Sequence, residues 1–225
     1  LNDQVDRQVI VDREPGQYLG HVSTILLEDG KTIFAVYPRG HGRGAVILKR
    51  SDDGGLTWSD RLPVPESWAT SRETPTLKRV VDADGNRRII MWSGLYPVRL
   101  SVSEDDGNTW SELKPVGDWG GIAVMGVTEA LTTKGHYMAM FHDDGRFIKG
   151  GDQEFWGSPS GVRSGSMTLY TTFSSDGGLT WSHPNTIYED STVLLCEPGA
   201  IRSPDGKQIA VLMRENKRVK NSHII

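Results

Sequence analysis

The sequence predicts an all-β fold assembled from repeated units of four strands, and three observations support this prediction. The 26 Gly and 11 Pro residues separate short runs rich in Val, Ile, Thr and aromatic residues, as turns separate strands. One phrase, Ser-x-Asp-x-Gly-x-Thr-Trp, occurs three times, starting at Ser51, Ser103 and Ser174. A tight Gly turn between two apolar runs precedes each copy, as in "LLEDGKTIFAVY" and "VVDADGNRRIIMW". Asp-Gly between alternating strands is typical of a β-hairpin.

The composition supports a packed core and excludes several classes of protein. Apolar residues make up 36% of the chain and are spread along its whole length, which argues against disorder. The net charge is −4 and Lys and Arg are scattered, so no basic stripe indicates nucleic-acid binding. No run of about 18 apolar residues predicts a membrane span. The one cysteine, Cys196, excludes an internal disulfide, and the opening "LNDQVDRQVI" fits a processed or trimmed N-terminus.

The first unit shows how the strands are placed. Apolar alternation predicts strand one at about 22–27, strand two at about 32–37 and strand three at about 45–50. The repeated phrase then forms the turn into strand four. The second and third units follow the same pattern, and a fourth begins near Glu197, with its hairpin turn at Asp205 and Gly206.

The spacing of the repeats predicts a β-propeller. The three copies start 52 and 71 residues apart, and a unit of roughly 50 residues is the size of a propeller blade. About three and a half blades do not close a ring of four to eight. The chain is therefore expected to be a single, incomplete propeller domain, completed by further blades from a C-terminal segment or a second chain. The predicted blades cover residues 16–67, 68–118, 119–190 and 191–225.

The repeated phrase is predicted to be a structural turn. Its acids could instead hold a metal, but a metal site needs several oxygen ligands that converge. Each copy lies on its own blade, so no metal and no cofactor is expected. Ser and Asp side chains accept backbone N–H bonds within such a turn, Gly supplies positive φ, and Trp packs against the blade. The structural residues are Asp53, Asp105, Asp176, Trp58, Trp110 and Trp181.

The two faces of the predicted propeller differ in chemistry. Strands that run up and down place the one–two and three–four turns on one face, which carries Gly turns and the repeated phrase. The entries to strand one and the two–three turns lie on the other face. These loops combine Arg, His, Asp and Glu with Gly and aromatic residues, as in "YPRGHGRG", "TSRETPT", "FHDDGRF" and "LLCEPG". Functional residues favour loops on a rigid scaffold, so this second face is predicted to carry the site.

Glu197 and Arg214 are the first candidate pair on that face. Glu197 lies between the apolar "TVLLC" and "PGAI", where a partly buried carboxylate needs a partner. Arg214 ends the neighbouring strand of the same hairpin. A structural salt bridge and a functional pair both fit this pattern.

The repeated phrase resembles the Asp-box, or bacterial neuraminidase repeat, of the sialidase superfamily. The segment "CEPGAIRSPDGKQIAVLMR" is similar to the sialidase segment in which a glutamate opens a blade and an arginine closes the hairpin. The resemblance implies a six-bladed propeller and a secreted or periplasmic bacterial enzyme. It also implies that Glu197 polarises a tyrosine nucleophile and that Arg214 belongs to a triad that binds the sugar carboxylate.

The sequence departs from the sialidase pattern in the first blade. "YLGHVS" lacks the family's first arginine, and "PRGHGRG" lacks its general-acid aspartate, so a divergent branch is predicted. Glu73 opens the second blade as Glu197 opens the fourth. Asp143 or Asp144 could supply the missing acid, although one of them could instead cap a turn. The predicted substrate-binding residues are Arg72, Arg214, Arg146, His142, His21, Arg39, His41 and Arg43.

The main hypothesis is an exo-acting glycoside hydrolase that cleaves a terminal sugar, either neutral or acidic and sialic-acid-like, from a glycan. Glu73, Glu197 and either Asp143 or Asp144 would be the catalytic carboxylates. One alternative is a non-catalytic propeller that binds carbohydrate or another protein. A second is a polysaccharide lyase that acts on a uronate with a histidine or tyrosine base.

Overall fold

The computed structural model describes residues 4–122, 129–130, 132–145, 147, 167–190, 192–216 and 223–224. These residues form fourteen β-strands and two short 3₁₀ turns, Val5–Arg7 and Glu66–Thr70, without an α-helix. The predicted all-β class is therefore confirmed. No helix in the described part of the chain is long and apolar enough to cross a bilayer.

The first half of the chain forms two antiparallel sheets, each in simple sequence order. Sheet 1 contains β1 (Ser23–Leu26), β2 (Ile33–Pro38) and β3 (Val46–Ser51). Sheet 2 contains β4 (Thr76–Val81), β5 (Arg87–Ser93), β6 (Arg99–Ser103) and β7 (Lys114–Pro115).

The second half repeats this organisation. Sheet 3 contains β8 (Glu129–Ala130), β9 (Tyr137–Asp143), β10 (Met167–Ser174) and β11 (Asn185–Asp190). Sheet 4 contains β12 (Leu195–Arg202), β13 (Ile209–Glu215) and β14 (His223–Ile224). Successive strands pair antiparallel in every sheet, as expected for units connected by short turns. The number of blades in the complete ring and the division of the chain into blades stay predictions.

After its repeated phrase, sheet 1 gains a short fourth segment. The amide of Ser59 donates to the carbonyl of Arg50 at 2.8 Å, and the amide of Leu62 donates to that of Leu48 at 2.9 Å. The chain thus returns alongside β3 where the sequence predicts strand four.

Each copy of the repeated phrase forms the same closed turn, which we call the repeat turn (residues 51–58, 103–110 and 174–181). In the first copy, Asp53 accepts the amide of Thr57 at 2.9 Å and its hydroxyl at 2.6 Å. The hydroxyl of Ser51 donates to Asp53 at 2.8 Å and accepts the amide of Gly55 at 2.8 Å. These bonds, led by the hydroxyl of Thr57, lower the pKa of Asp53 to about 2. The other copies make the same contacts.

One apolar core lies between each pair of neighbouring sheets. Phe34 of sheet 1 packs with Ile89 and Met91 of sheet 2, Trp92 of sheet 2 with Phe141 of sheet 3, and Leu169 of sheet 3 with Met213 of sheet 4. The tryptophans of the second and third repeat turns join these cores, with ring centroids 5.3 Å apart for Trp68 and Trp110 and 4.8 Å for Trp92 and Trp181. The cores hold the sheets side by side and bring their equivalent loops to one face.

Candidate active site

The loops opposite the repeat turns surround a cavity of about 640 Å³, a volume typical of small-ligand sites. All four sheets contribute to its lining. Nine of the twelve predicted catalytic and substrate-binding residues lie there: His21, His41, Arg43, Arg72, Glu73, His142, Asp144, Glu197 and Arg214.

Glu197 and Arg214 form an ion pair at the sheet 4 side of the cavity. The Nη2 of Arg214 lies 3.0 Å from Oε1 of Glu197, and about half of each side chain is exposed. The strand register shifts between Cys196 and Gly199, so Glu197 lies in a β-bulge. Bulges often re-aim a side chain next to an active site. Burial acts to lower the pKa of Arg214, but contacts with Cys196 and Glu197 outweigh it and leave this pKa above its ordinary value.

Glu73 lies at the sheet 2 side of the cavity in a closely packed loop. Its Oε1 accepts the amide of Thr74 at 2.8 Å, and its carbonyl accepts the hydroxyl of Ser71 at 3.0 Å. A Cβ at Gly94 would lie 3.0 Å from Cγ of Glu73 and 3.1 Å from the carbonyl of Gly121. The absence of a side chain at position 94 therefore makes room for the glutamate.

The two predicted aspartates follow one another at the end of β9, but only one of them lines the cavity. Side chains alternate between the faces of a strand, and His142 and Asp144 both line the cavity. Asp143 is buried outside it, and its Oδ2 accepts the amides of Gly145 at 3.1 Å and Phe147 at 3.2 Å. Asp143 thus caps the turn, whereas the side chain of Asp144 lines the cavity.

The first sheet contributes two histidines where the resemblance expects an arginine and an acid. The Nε2 of His21 lies 3.4 Å from the Nδ1 of His41, and the two rings meet edge to face with centroids 4.6 Å apart. The ring of Tyr18 lies 5.2 Å from that of His41. Within the described residues, Arg43 and Arg72 on the same side of the cavity have no carboxylate within ion-pair distance.

Two of the predicted residues, Arg39 and Asp143, do not line this cavity, and a third, Arg146, lies outside the described residues. Arg39 lies beside it because Glu14 holds its guanidinium, with Nε at 3.0 Å from Oε1 and 3.1 Å from Oε2. Arg61 also binds Glu14, at 2.9 Å, and these contacts, led by Arg39, keep the pKa of Glu14 below its ordinary value. Asp143 instead caps the turn after β9.

Sequence reasoning missed several residues that line the cavity. The Oδ1 of Asn216 accepts a hydrogen bond from Nη2 of Arg214 at 3.1 Å. Asn216 is two residues after Arg214 in the sequence, a spacing that places side chains on the same face of a strand and could have indicated this contact. Cys196 is buried, and burial raises the pKa of its thiol. Leu95 lines the cavity because its backbone forms an antiparallel β-bridge with Gly121, and no local sequence pattern predicts this pairing. Among the described residues, no group of three His, Cys, Asp or Glu side chains could hold a metal ion.

Comparisons with known proteins identify solved structures with a similar fold. No protein-family model and no curated protein matches the sequence. Among solved structures, the chain is similar to the GH93 α-L-arabinofuranosidase of Fusarium graminearum, determined with arabinobiose. The TM-score is 0.64 at 15% identity, and the match covers 96% of this chain and 64% of that one.

Two further structures show the same likeness. The α-L-arabinanase of Penicillium chrysogenum, complexed with arabinobiose, has a TM-score of 0.57 at 14% identity, with 92% and 66% of the two chains covered. A protein of unknown function from Dyadobacter fermentans has a TM-score of 0.65 at 15% identity, with 96% and 67% covered. The chain spans less than two thirds of both fungal enzymes. At these identities the likeness shows the fold alone, and that fold is a β-propeller.

Proposed function

We propose that this protein is an exo-acting glycoside hydrolase of the sialidase-like kind that removes a terminal, acidic sugar from a glycan. The observation that carries the proposal is the composition of one cavity. It combines three carboxylates, Glu73, Asp144 and Glu197, with three guanidinium groups. The fold shared with glycoside hydrolases agrees with this reading.

The carboxylates suit the chemistry of glycosidic cleavage. This reaction needs one carboxyl group to protonate the leaving oxygen and a second group to act as base or nucleophile. The Glu197 carboxylate already binds Arg214, which suits the role of orienting that arginine and polarising a nucleophile. Glu73 and Asp144 are then the candidates for the acid and its partner.

The guanidinium groups favour an acidic substrate. A planar guanidinium binds a carboxylate through two parallel hydrogen bonds, which a neutral sugar does not offer. Arg43 and Arg72 line the cavity without a carboxylate partner among the described residues. A carboxylate on the sugar would supply it. Because two solved structures of similar fold are named as an α-L-arabinofuranosidase and an α-L-arabinanase, a neutral arabinoside is the appropriate comparison substrate.

The test is a panel of aryl glycosides that includes a sialoside, two uronides and an α-L-arabinofuranoside. We expect the complete wild-type protein, with all blades of its propeller, to hydrolyse an acidic member, and Glu73→Gln, Asp144→Asn and Glu197→Gln each to lower kcat by at least about 100-fold. Glu104→Gln is the matched control. Its side chain lies in a repeat turn on the opposite face, 72% exposed, so turnover should be unchanged.

Each other outcome has a distinct meaning. Unchanged kcat in all three variants would show that these carboxylates are not catalytic. Binding of acidic glycans without hydrolysis would identify a non-catalytic propeller. An unsaturated, ultraviolet-absorbing product would identify a lyase, and preferred hydrolysis of the arabinoside would exclude the acidic substrate.

A further inference from the structure

The backbone of Glu197 has an unusual conformation. Its φ is +53°, a region that residues other than glycine rarely occupy. Pro198 follows it, and a residue before proline is restricted further, towards extended backbone. Such a conformation persists only where neighbouring groups hold it.

One of these groups is the imidazole of His142. Its Nδ1 accepts the backbone N–H of Glu197 at 3.2 Å. This bond joins β9 of sheet 3 to the bulge in β12 of sheet 4. His142 as a whole is 3% exposed. The backbone of His142 is fixed as well, because it pairs with Leu169 and its carbonyl accepts the amide of Ile122 at 2.8 Å.

The hydrogen bond also determines where the imidazole carries its proton. A backbone amide only donates, so Nδ1 must present its lone pair. The neutral ring therefore carries its proton on Nε2. A doubly protonated ring would direct a second N–H at the amide of Glu197, and the hydrogen bond would be lost.

We propose that His142 is a positioning residue that holds the Glu197 carboxylate in the cavity through this backbone contact. The assignment of a catalytic role to Glu197 rests on the proposed function, whereas the contact does not. The bulge turns the Glu197 side chain towards Arg214, with Oε1 at 3.0 Å from Nη2. Without the acceptor, the bulge relaxes to negative φ and this ion pair separates.

Nuclear magnetic resonance of the full chain tests the contact without any assay of activity. We expect a scalar coupling across the hydrogen bond between the Glu197 amide nitrogen and His142 Nδ1, with the proton of the neutral ring on Nε2. No coupling, or a proton on Nδ1, would overturn the inference. This result does not depend on whether wild-type protein hydrolyses any glycoside.

Two substitutions test the consequence. His142→Phe keeps a buried ring without the acceptor, and we expect kcat to fall by about 100-fold with little change in KM, the effect of a small misplacement. His142→Asn places an amide oxygen near the position of Nδ1, and we expect it to restore most of the turnover. The control is His183→Phe at an exposed histidine after the third repeat turn, which should leave kcat unchanged.

The two hypotheses fail in different ways. Full activity in His142→Phe, or equal losses in the Phe and Asn variants, would overturn the positioning role. If His142→Phe does not fold, the positioning role is tested instead by the scalar coupling in wild type and by the activity of His142→Asn. If wild type is inactive on every glycoside, the proposed function fails, and the coupling and a crystal structure of His142→Asn still test the contact. Retention of φ near its present value at Glu197 in that variant is the expected result.

Discussion

Gly177 offers a sharp test of how the sheets pack together. It lies in the third repeat turn with φ +76°, and its amide donates to the carbonyl of Gly135 at 2.9 Å. A Cβ at this position would lie 2.6 Å from Cβ and 2.9 Å from Cα of Asp82, in the β4–β5 turn of sheet 2. Gly54 has the same place in the first repeat turn and φ +74°, but a Cβ there would meet nothing within 4 Å.

The comparison separates backbone strain from steric overlap. Left-handed backbone costs an L-residue about 1–2 kcal/mol, so Gly54→Ala should lower the free energy of unfolding by that amount. Gly177→Ala has the same backbone strain, and in addition its new Cβ overlaps with Asp82. Forcing extra atoms into a packed contact costs about 1–3 kcal/mol more. The total for Gly177→Ala is therefore about 2–5 kcal/mol.

Urea unfolding of wild type and both variants measures the difference directly. For a chain of this length, each kcal/mol also lowers Tm by about 2–4 °C, so calorimetry gives an independent value. If the two variants agree within about 0.5 kcal/mol, the third repeat turn does not pack against sheet 2 as described, and the reasoning is refuted.

Two further predictions concern stability. Trp68 is fully buried between sheets 1 and 2, and its indole N–H donates to the hydroxyl of Ser101 at 3.2 Å. Trp68→Ala should therefore lower the free energy of unfolding, measured in urea, by about 3–5 kcal/mol. A loss below about 1 kcal/mol would contradict this packing. Turn hydrogen bonds, led by the hydroxyls of Thr32 and Thr192, lower the pKa values of Asp29 and Asp190 to about 2. Because the pKa of each carboxyl is lower in the folded than in the unfolded state, the stabilisation is present above about pH 4 and is lost as pH falls towards 2. Asp29→Asn should therefore make the free energy of unfolding vary less with pH between about 4 and 2.

The strands and the face that carries the cavity were predictable because both depend on local patterns. The strands expected at 22–27, 32–37 and 45–50 lie at Ser23–Leu26, Ile33–Pro38 and Val46–Ser51. Apolar residues of period two define a strand that buries one face, and Gly turns define its ends. Once the strands alternate in direction, the loops are assigned to two faces without further information.

The detail of the site was not predictable because it depends on contacts between distant segments. Glu14 is 25 residues from Arg39 and still removes it from the cavity. The choice between Asp143 and Asp144 depends on the register of β9 with β10. The backbone of Glu197 depends on His142, which lies 55 residues earlier on another sheet. Sequence patterns propose such residues as candidates but do not orient them.

The pairing of β9 with β10 has a consequence for protein engineering. The second and third repeat turns are 71 residues apart rather than 52, and β9 and β10 nevertheless pair without interruption from Tyr137 and Ser174 to Asp143 and Thr168. The stem of this hairpin is therefore complete at Asp143 and Thr168. The entropy of closing a loop grows only slowly with its length. Segments of other lengths and compositions can thus be exchanged after Phe147, because an exchange there leaves the paired stem, Asp144 and the turn capped by Asp143 unchanged.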